Sequence, residues 1–219
     1  MVLELTWSGL LLLAAYLLGS IPTGYLIGRL LKGIDIREQG SGSTGATNVL
    51  RTLGKGPAAV VLLIDALKGV AAIALVNGYY ALVETPAIPA TWHPWLVAAA
   101  AFAALLGHSK SIWINFTGGK SVATGLGVLL AMSWPVGLGT LGVFALVLAL
   151  FRIVSLGSIS GAIAVPVLMI IAGQPLPYQL FAGAAGLYVI WRHRSNIQRV
   201  LAGTEPQVGQ KLPPEVPSS

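Results

Sequence analysis

The sequence predicts an all-α integral membrane protein with about seven transmembrane helices. The chain is 55% hydrophobic and only 9% charged, whereas a soluble domain has about 25% charged residues. Long uncharged runs alternate with short polar connections, and most basic residues lie in those connections. A chain with so little polar surface is expected to fold in a bilayer rather than in water.

Net charge and cysteine content narrow the possible functions. The formal charge is +6, and in a membrane protein basic residues collect in the cytoplasmic connections. We therefore expect anionic substrates and no nucleic-acid partner. The sequence has no cysteine, which excludes disulfides, a thiolate nucleophile and a cysteine-based metal site.

The first three predicted spans are separated by clear polar breaks. An apolar run from Trp7 to Leu31 is too long for a signal-peptide core, and no basic residue precedes it, so we interpret it as a retained span. Pro57, a residue favoured in the first turn of a helix, opens a second span that ends near Tyr80. The third span runs from Trp92 to Gly107.

Two longer uncharged stretches each predict a pair of crossings. Residues Ser121–Phe151 are interrupted at Ser133-Trp134-Pro135. Two full spans need about 40 residues, so these crossings are expected to be short, with one tilted or partly re-entrant. Residues Ile153–Trp191 are interrupted at Gly173-Gln174-Pro175. The predicted total is seven spans.

The distribution of basic residues predicts the orientation. The chain has 13 Lys and Arg residues, and in a seven-span arrangement all except Lys68 fall on one side. The positive-inside rule then places the N-terminus outside and the C-terminus in the cytoplasm. Residues 1–202 form one polytopic domain, and residues 203–219, rich in Pro, Glu, Gln and Ser, are predicted to be a disordered cytoplasmic tail.

Lys68 lies inside the second span, three residues after Asp65. This spacing places both side chains on one face of a helix. One interpretation is a structural pair buried in the bundle. The other is that Lys68 supports the active-site loop, because ionisable residues within membrane spans often have functional roles.

Four polar segments lie on the predicted cytoplasmic side: Gly40–Arg51, His108–Thr124, Arg152–Ser158 and His193–Arg199. Each has a cation and several hydrogen-bond donors, and glycine-rich turns form backbone sites for anions. Thr117-Gly118-Gly119-Lys120 resembles a phosphate cradle before a helix N-terminus. It is not a Walker motif, because Ile114 stands at the first glycine position, so nucleotide hydrolysis is not predicted.

Three motifs occur in order on the same side: Gly-Ser-Gly-x-x-Gly-Ala-Thr-Asn-x-x-Arg, Gly-Gly-Lys-x-Val-Ala-Thr, and His-Arg-x-Asn-Ile-x-Arg-x-x-x-Gly-Thr-Glu. Together they resemble the bacterial acyl-phosphate-dependent glycerol-3-phosphate acyltransferases, and the resemblance covers roughly residues 10–205. It implies a multi-pass enzyme of the bacterial inner membrane, with its active site facing the cytoplasm. The implied reaction transfers a fatty acyl group from acyl phosphate to the 1-hydroxyl of glycerol 3-phosphate, giving lysophosphatidic acid and phosphate, without a metal or cofactor.

The resemblance also implies the site residues. The implied catalytic residues, which also bind substrate, are Ser41, Arg51, Lys120, His193 and Asn196, and Ser158 is a further substrate-binding residue. The implied phosphate pocket contains Thr47, Asn48, Gly118, Gly119 and Lys120. Two positions depart from the family pattern: Ser43 stands where the family usually has Asn, and Ser121 where it usually has Gly.

The proton acceptor is open at this stage. His193 has an ordinary pKa suited to proton transfer near neutrality, but it is equally able to act as a hydrogen-bond partner while a substrate phosphate accepts the proton. His108 is expected to orient the second polar segment. No Asp follows any histidine by four residues, so the His–Asp dyad of many other lipid acyltransferases is absent.

Two other classes of function have some support. A transporter or channel for a phosphate-bearing solute would use the same basic, glycine-rich segments. However, the polar residues collect at one face rather than in the middle of the bilayer. A non-catalytic phospholipid-binding scaffold would need only a basic patch, and the ordered Ser, Thr, Asn and His residues exceed that need. The oligomeric state is left open.

Overall fold

The computed structural model describes residues 1–210. The helices are α1 (Val2–Ser20), α2 (Thr23–Lys32), α3 (Ala46–Leu53), α4 (Lys55–Leu82), α5 (His93–Ser109), α6 (Val122–Met132), α7 (Trp134–Phe151), α8 (Val154–Ile171), α9 (Leu176–Arg192) and α10 (Arg194–Leu201). Residues 211–219 of the predicted tail lie outside the described residues. The structure confirms the predicted all-α class.

Within residues 1–210, five helical segments are long and apolar enough to cross a membrane: Val2–Lys32, which joins α1 and α2, then Lys55–Leu82, Ala90–Ser109, Trp134–Phe151 and Val154–Ile171. Helix α9 has 17 residues. Helix α6 has only 11 residues, about 16 Å at 1.5 Å per residue, and is shorter than a 30 Å hydrocarbon core. This agrees with the short crossings expected after Ser121. The count of seven crossings and their orientation remain predictions.

The first span is not continuous, unlike the single helix expected between Trp7 and Leu31. It breaks at Ile21 and Pro22, because proline has no N–H and disfavours helical geometry in the residue before it. The break interrupts the regular helical hydrogen bonds, and the nearby carbonyls take other partners: the Ile21 carbonyl accepts the Thr23 N–H at 3.0 Å. Ser111 Oγ donates to the Ser20 carbonyl, and Lys68 Nζ donates to the Ile21 carbonyl at 2.7 Å.

Glycines allow several helices to approach closely. A Cβ on Gly19 of α1 would lie 2.2 Å from the Ala104 carbonyl oxygen of α5. One on Gly69 of α4 would lie 2.2 Å from the Thr124 carbonyl oxygen of α6. Such contacts are typical of membrane helices that pack through small residues. Helix α7 lies at the periphery, where it packs mainly on α8 and α6.

The close packing brings the connections before α3, before α6, before α8 and after α9 to one end of the bundle. Arg37 Nη1 of the first connection donates to Thr117 Oγ1 of the second at 3.1 Å. Ser155, at the start of α8, donates to Glu205, which follows α10, at 2.7 Å. The functional residues predicted from distant parts of the sequence therefore share one region.

Candidate active site

A cavity of about 430 Å³ opens between these connections and continues between the helices. Its polar end is lined by Ser41, Ser43, Thr47, Asn48, Arg51, Lys120, Ser155, Ser158, His193, Asn196 and Glu205. Its apolar part is lined by Leu62 of α4, Leu126 and Leu129 of α6, Leu141 and Phe144 of α7, Val165 of α8 and Phe181 of α9. A molecule with an anionic head and a long apolar chain has the chemistry that such a cavity would accept.

The glycine-rich segment is organised by the buried side chain of Asn48. Its Nδ2 donates to the carbonyls of Ile36, Gln39 and Ser43 at 2.9–3.0 Å, and its Oδ1 accepts the Ser41 N–H at 2.9 Å. These bonds engage both the nitrogen and the oxygen of the Asn48 side-chain amide. Asn48 therefore sets the shape of the loop that carries Ser41 and Ser43.

Ser43, where the resemblance implies an Asn, supports its turn through its hydroxyl group. Its Oγ accepts the Gly45 N–H at 3.2 Å, a local hydroxyl–backbone bond that is common in turns. A Cβ on Gly24 would lie 1.9 Å from the Thr44 carbonyl oxygen. The loop therefore lies directly on the second half of the first span.

The predicted phosphate cradle, Gly118–Lys120, packs against His108 at the end of α5. Gly119 N–H donates to the His108 carbonyl at 3.2 Å. A Cβ on Gly119 would lie 2.1 Å from His108 Nε2, and one on Gly118 would lie 2.2 Å from the His108 carbonyl oxygen. Arg192 Nη2 donates to the Gly119 carbonyl at 2.8 Å from the other side. The turn is thus held between α5 and α9, and the orienting role predicted for His108 remains a prediction.

Lys120 is part of a chain of hydrogen bonds to the C-terminal segment. Its Nζ donates to Asn196 Oδ1, and Asn196 Nδ2 donates to Glu205 Oε1 at 2.6 Å. Arg199 Nε donates to Glu205 Oε2 at 2.7 Å. Burial raises the pKa of Glu205, but hydrogen bonds from Asn196, Ser155 and Arg199 outweigh it and give a net lowering. Glu205 is therefore a carboxylate that fixes Asn196 and, through it, Lys120.

Two cations face the cavity without a carboxylate partner. Among residues 1–210, neither Arg51 nor Lys120 forms an ion pair. Burial lowers the pKa of Arg51, and burial is also the main reason that the pKa of Lys120 falls to about 8. An anion bound between them would stabilise the charged forms and offset the desolvation.

His193 presents one ring nitrogen to the cavity. Its Nδ1 lies 2.7 Å from the Val189 carbonyl oxygen, so Nδ1 carries the proton in the neutral ring and Nε2 keeps a free lone pair. Burial is the main cause that lowers the pKa of His193 to about 4. The ring is therefore neutral near pH 7 and its Nε2 is a hydrogen-bond acceptor.

A smaller polar pocket of about 290 Å³ adjoins the large cavity. The two share Ser41, Ser43 and Lys120, and the smaller one also contains Gly118, Arg192 and Arg194. Two neighbouring polar pockets with Lys120 between them can hold two phosphate groups. Within residues 1–210, no three His, Cys, Asp or Glu side chains lie together in a way that could hold a metal ion.

Comparison with known proteins agrees with this geometry. The family model described as glycerol-3-phosphate acyltransferase matches residues 9–203. A protein of Trichormus variabilis with the same name is 63% identical over 225 residues, which cover 100% of both chains.

The chain belongs to the glycerol-3-phosphate acyltransferase family. The resemblance inferred from the three motifs is confirmed. Two crystal structures of PlsY, described as an integral membrane glycerol 3-phosphate acyltransferase, have the same fold at 37% sequence identity. Its glycerol 3-phosphate form gives a TM-score of 0.82 over 92% of this chain and 96% of that chain. Its lysophosphatidic acid form gives a TM-score of 0.80 over 92% of this chain and 95% of that chain.

The structure places most of the predicted family residues around one cavity. Those that line the large cavity are Ser41, Thr47, Asn48, Arg51, Lys120, Ser158, His193 and Asn196. Gly118 lines the smaller pocket, and Gly119 lies behind the turn against His108. Ser158 Oγ donates to the Val154 carbonyl at 2.9 Å, so its hydroxyl is already engaged within α8.

Three residues of the site were not predicted as functional: Ser155, Arg192 and Glu205. Glu205 ends the third family motif, but the composition of residues 203–219 predicted disorder there. In the structure its side chain is 3% exposed, and nearby Val208 N–H donates to the Arg152 carbonyl at 2.8 Å. The segment up to Gln210 therefore packs beside the glycerol-3-phosphate acyltransferase site.

Proposed function

We propose that this protein transfers a fatty acyl group from acyl phosphate to the 1-hydroxyl of glycerol 3-phosphate. The products are 1-acylglycerol 3-phosphate and inorganic phosphate. The observation that carries the proposal is the position of Arg51 and Lys120, two cations without carboxylate partners, at the polar end of a cavity that continues as an apolar channel. The PlsY structures, described as glycerol 3-phosphate and lysophosphatidic acid forms, support the acceptor and the product.

The reaction needs no redox step and its atoms balance. The 1-hydroxyl oxygen attacks the acyl carbonyl carbon and forms the ester bond. The bond between that carbon and the phosphate oxygen breaks, and phosphate leaves with the electron pair. The hydroxyl proton is accepted either by His193 Nε2 or by the leaving phosphate. Because phosphate is a good leaving group, the main task is to stabilise negative charge and align the hydroxyl.

Each site residue contributes to charge stabilisation or to alignment of the hydroxyl. Lys120 lies at the junction of the two pockets, where it contacts the phosphate of the acyl donor and the developing charge at the carbonyl. Arg51 and Ser41 bind glycerol 3-phosphate. His193 Nε2 accepts the hydrogen bond of the 1-hydroxyl. The role of Asn196 is to hold Lys120, because both ends of its amide are bonded.

The fatty chain occupies the apolar part of the cavity. The leucines and phenylalanines that line it lie on α4, α6, α7, α8 and α9, so the chain remains among apolar side chains while its carbonyl reaches Lys120. The protein is a single domain of the bacterial cytoplasmic membrane with its site facing the cytoplasm. It acts without a cofactor or a metal.

The test is an assay of the purified protein with glycerol 3-phosphate and three donors side by side: palmitoyl phosphate, palmitoyl-CoA and palmitoyl acyl carrier protein. We expect lysophosphatidic acid and phosphate from the acyl phosphate alone. Activity with the thioesters but not with acyl phosphate would refute the donor. Uptake of labelled glycerol 3-phosphate into sealed vesicles without product would indicate transport instead.

Lys120→Ala is expected to abolish turnover while the protein remains folded in detergent, because the cation between the two pockets is lost. The measurement is phosphate release together with a thermal unfolding curve. Near-normal activity of this variant would exclude Lys120 from the reaction.

A further inference from the structure

Three charged or titratable side chains lie buried between the helices: Asp65 and Lys68 of α4 and His108 of α5. Asp65 and His108 also line the large cavity. Lys68 Nζ is 2.7 Å from Asp65 Oδ1 and 3.4 Å from His108 Nδ1. All three are at most 7% exposed. Charged groups inside a membrane protein are costly to bury, which raises the question of what this cluster does.

The cluster joins three parts of the bundle through Lys68. In addition to Asp65 and His108, the ammonium group donates to the Ile21 carbonyl, which also accepts the Thr23 N–H at 3.0 Å. It thereby fixes α4 to the break of the first span and to the end of α5. No other side chain among residues 1–210 donates to the Ile21 carbonyl.

His108 transmits this arrangement to the reaction centre. Its carbonyl accepts the Gly119 N–H, and its ring lies against Gly119 so closely that a Cβ there would be 2.1 Å from Nε2. The position of the ring thus determines where the Gly118–Lys120 turn lies. Because Lys120 follows Gly119 directly, a shift of His108 moves the Lys120 backbone as well.

We propose that Asp65, Lys68 and His108 are positioning residues that hold the Gly118–Lys120 turn in its reactive place. They act through the turn. This inference rests on the proposed acyl transfer and adds a role for residues outside the three motifs. A displacement of about 1 Å in a catalytic group can cost about 100-fold in rate, so the cluster has a measurable effect on turnover.

The test removes both charges together. Asp65→Asn/Lys68→Met leaves no unpaired buried charge, since replacing both members of a buried pair is tolerated far better than removing one. We expect kcat to fall about 10- to 100-fold while the variant still unfolds cooperatively in detergent. His108→Leu, which keeps the Asp65–Lys68 pair, should produce a similar loss.

The matched control lies between the same two helices at their other end. His93 Nε2 of α5 lies 2.9 Å from Asn77 Oδ1 of α4, far from the turn along both helices. Asn77→Ala removes this contact and should leave kcat within about twofold of the unaltered protein. A similar loss in this control would show that any weakened α4–α5 contact lowers activity, and would overturn the proposal.

A double-mutant cycle that combines His108→Leu with Gly119→Ala separates positioning from general stability. Both substitutions displace the same turn, so the loss in kcat of the double variant should be clearly smaller than the product of the two separate losses. The inference would be overturned if the two separate losses in kcat multiplied in the double variant. It would also be overturned if a folded His108→Leu variant kept the kcat of the unaltered protein. If the unaltered protein does not use acyl phosphate, the proposed function fails and this inference fails with it. If it does but the cluster variants are unaffected, only this inference fails.

Discussion

Lys120 and His193 line the same cavity, and burial lowers the pKa of both. Lys120 titrates at about 8 and His193 at about 4. Between these values Lys120 is charged and His193 is neutral, which are the forms that the proposed reaction uses. A charged Lys120 and a neutral His193 are therefore present together over a pH range that includes neutrality.

We expect kcat/KM to fall as pH rises through about 8, because the free enzyme loses the Lys120 proton. Lys120→Arg, whose guanidinium stays charged, should move this limb to higher pH even though its rate is lower. The measurement is a profile of kcat/KM from pH 5.5 to 10. The acid limb of the profile also reflects ionisation of the substrate phosphate, which has a pKa of about 6. The basic limb is therefore the one that tests the assignment to Lys120. An unmoved basic limb in Lys120→Arg would assign it to another group.

Ser121 has a positive φ of 61°, a conformation that favours glycine. This conformation is consistent with the Gly that the resemblance implies at this position. Here the hydroxyl contributes two contacts instead: Ser121 Oγ donates to the Leu105 carbonyl at 2.7 Å and lies 2.6 Å from Ser109 Oγ. The serine thus combines backbone strain with buried hydrogen bonds.

Two substitutions at Ser121 separate these effects. Ser121→Ala should lower the free energy of unfolding by about 1–3 kcal/mol, because the hydrogen bonds disappear and the strain remains. Ser121→Gly should lose less, because glycine relieves about 1 kcal/mol of left-handed strain. Thermal unfolding in one detergent checks the order. Equal stability of the alanine and glycine variants would show that strain is negligible here.

At the scale of elements, α6 connects the phosphate turn to the apolar channel. It begins directly after Ser121 and lines the cavity with Gly125, Leu126 and Leu129. A Cβ on Gly125 would meet no heavy atom within 4 Å. A larger side chain there would therefore extend into the channel, about one helical turn below Lys120.

Gly125→Leu is expected to block long acyl chains selectively. Displacing about four methylenes at roughly 0.8 kcal/mol each costs about 3.2 kcal/mol, which corresponds to about 200-fold. The ratio of kcat/KM for palmitoyl phosphate to that for butyryl phosphate should fall by about that factor.

Gly142→Leu is the matched control. Gly142 of α7 is exposed, its Cβ position is equally open, and it does not line the cavity. An unchanged chain-length ratio in Gly125→Leu, or an equal change in the control, would argue against an acyl chain in this channel.

The broken first span shows what element prediction from sequence misses. Pro22 is a signal for a break, yet hydropathy treats residues 7–31 as one continuous run. The break is stable because Lys68 and Ser111, which are distant in sequence, bond the nearby carbonyls. Hydropathy averages over a window and does not detect such partners.

At the scale of the whole molecule, the segregation of basic residues predicts the orientation in the membrane. Lys32 is the last residue of α2, before the connection that leads to α3 and α4, and Glu84 follows the C-terminal end of α4. The absence of native cysteine makes single-cysteine labelling straightforward. Both positions are exposed.

We expect a membrane-impermeant maleimide to label Glu84→Cys in intact cells and Lys32→Cys only after the membrane is opened, because basic connections remain in the cytoplasm. The unaltered protein is the control for background. Labelling of Lys32→Cys in intact cells would reverse the predicted orientation. Labelling of both positions from the same side would contradict the odd number of spans.

The sequence by itself determined the class of the protein, the approximate spans and the family. These follow from properties that are local along the chain: hydrocarbon partitioning of apolar runs, the charge of connections, and three motifs whose residues are close in sequence. It also identified Ser41, Arg51, Lys120, His193 and Asn196, because they stand within those motifs.

Only the tertiary structure decided how these residues act. The bonds of Glu205 to Ser155 and Asn196, and of Lys68 to the Ile21 carbonyl, join residues that are brought together by helix packing. Neither composition nor spacing encodes such distances. Packing also determined that Asn48 shapes its loop, that His193 presents Nε2, and that the polar site continues into an apolar channel, since each depends on which buried groups find a partner.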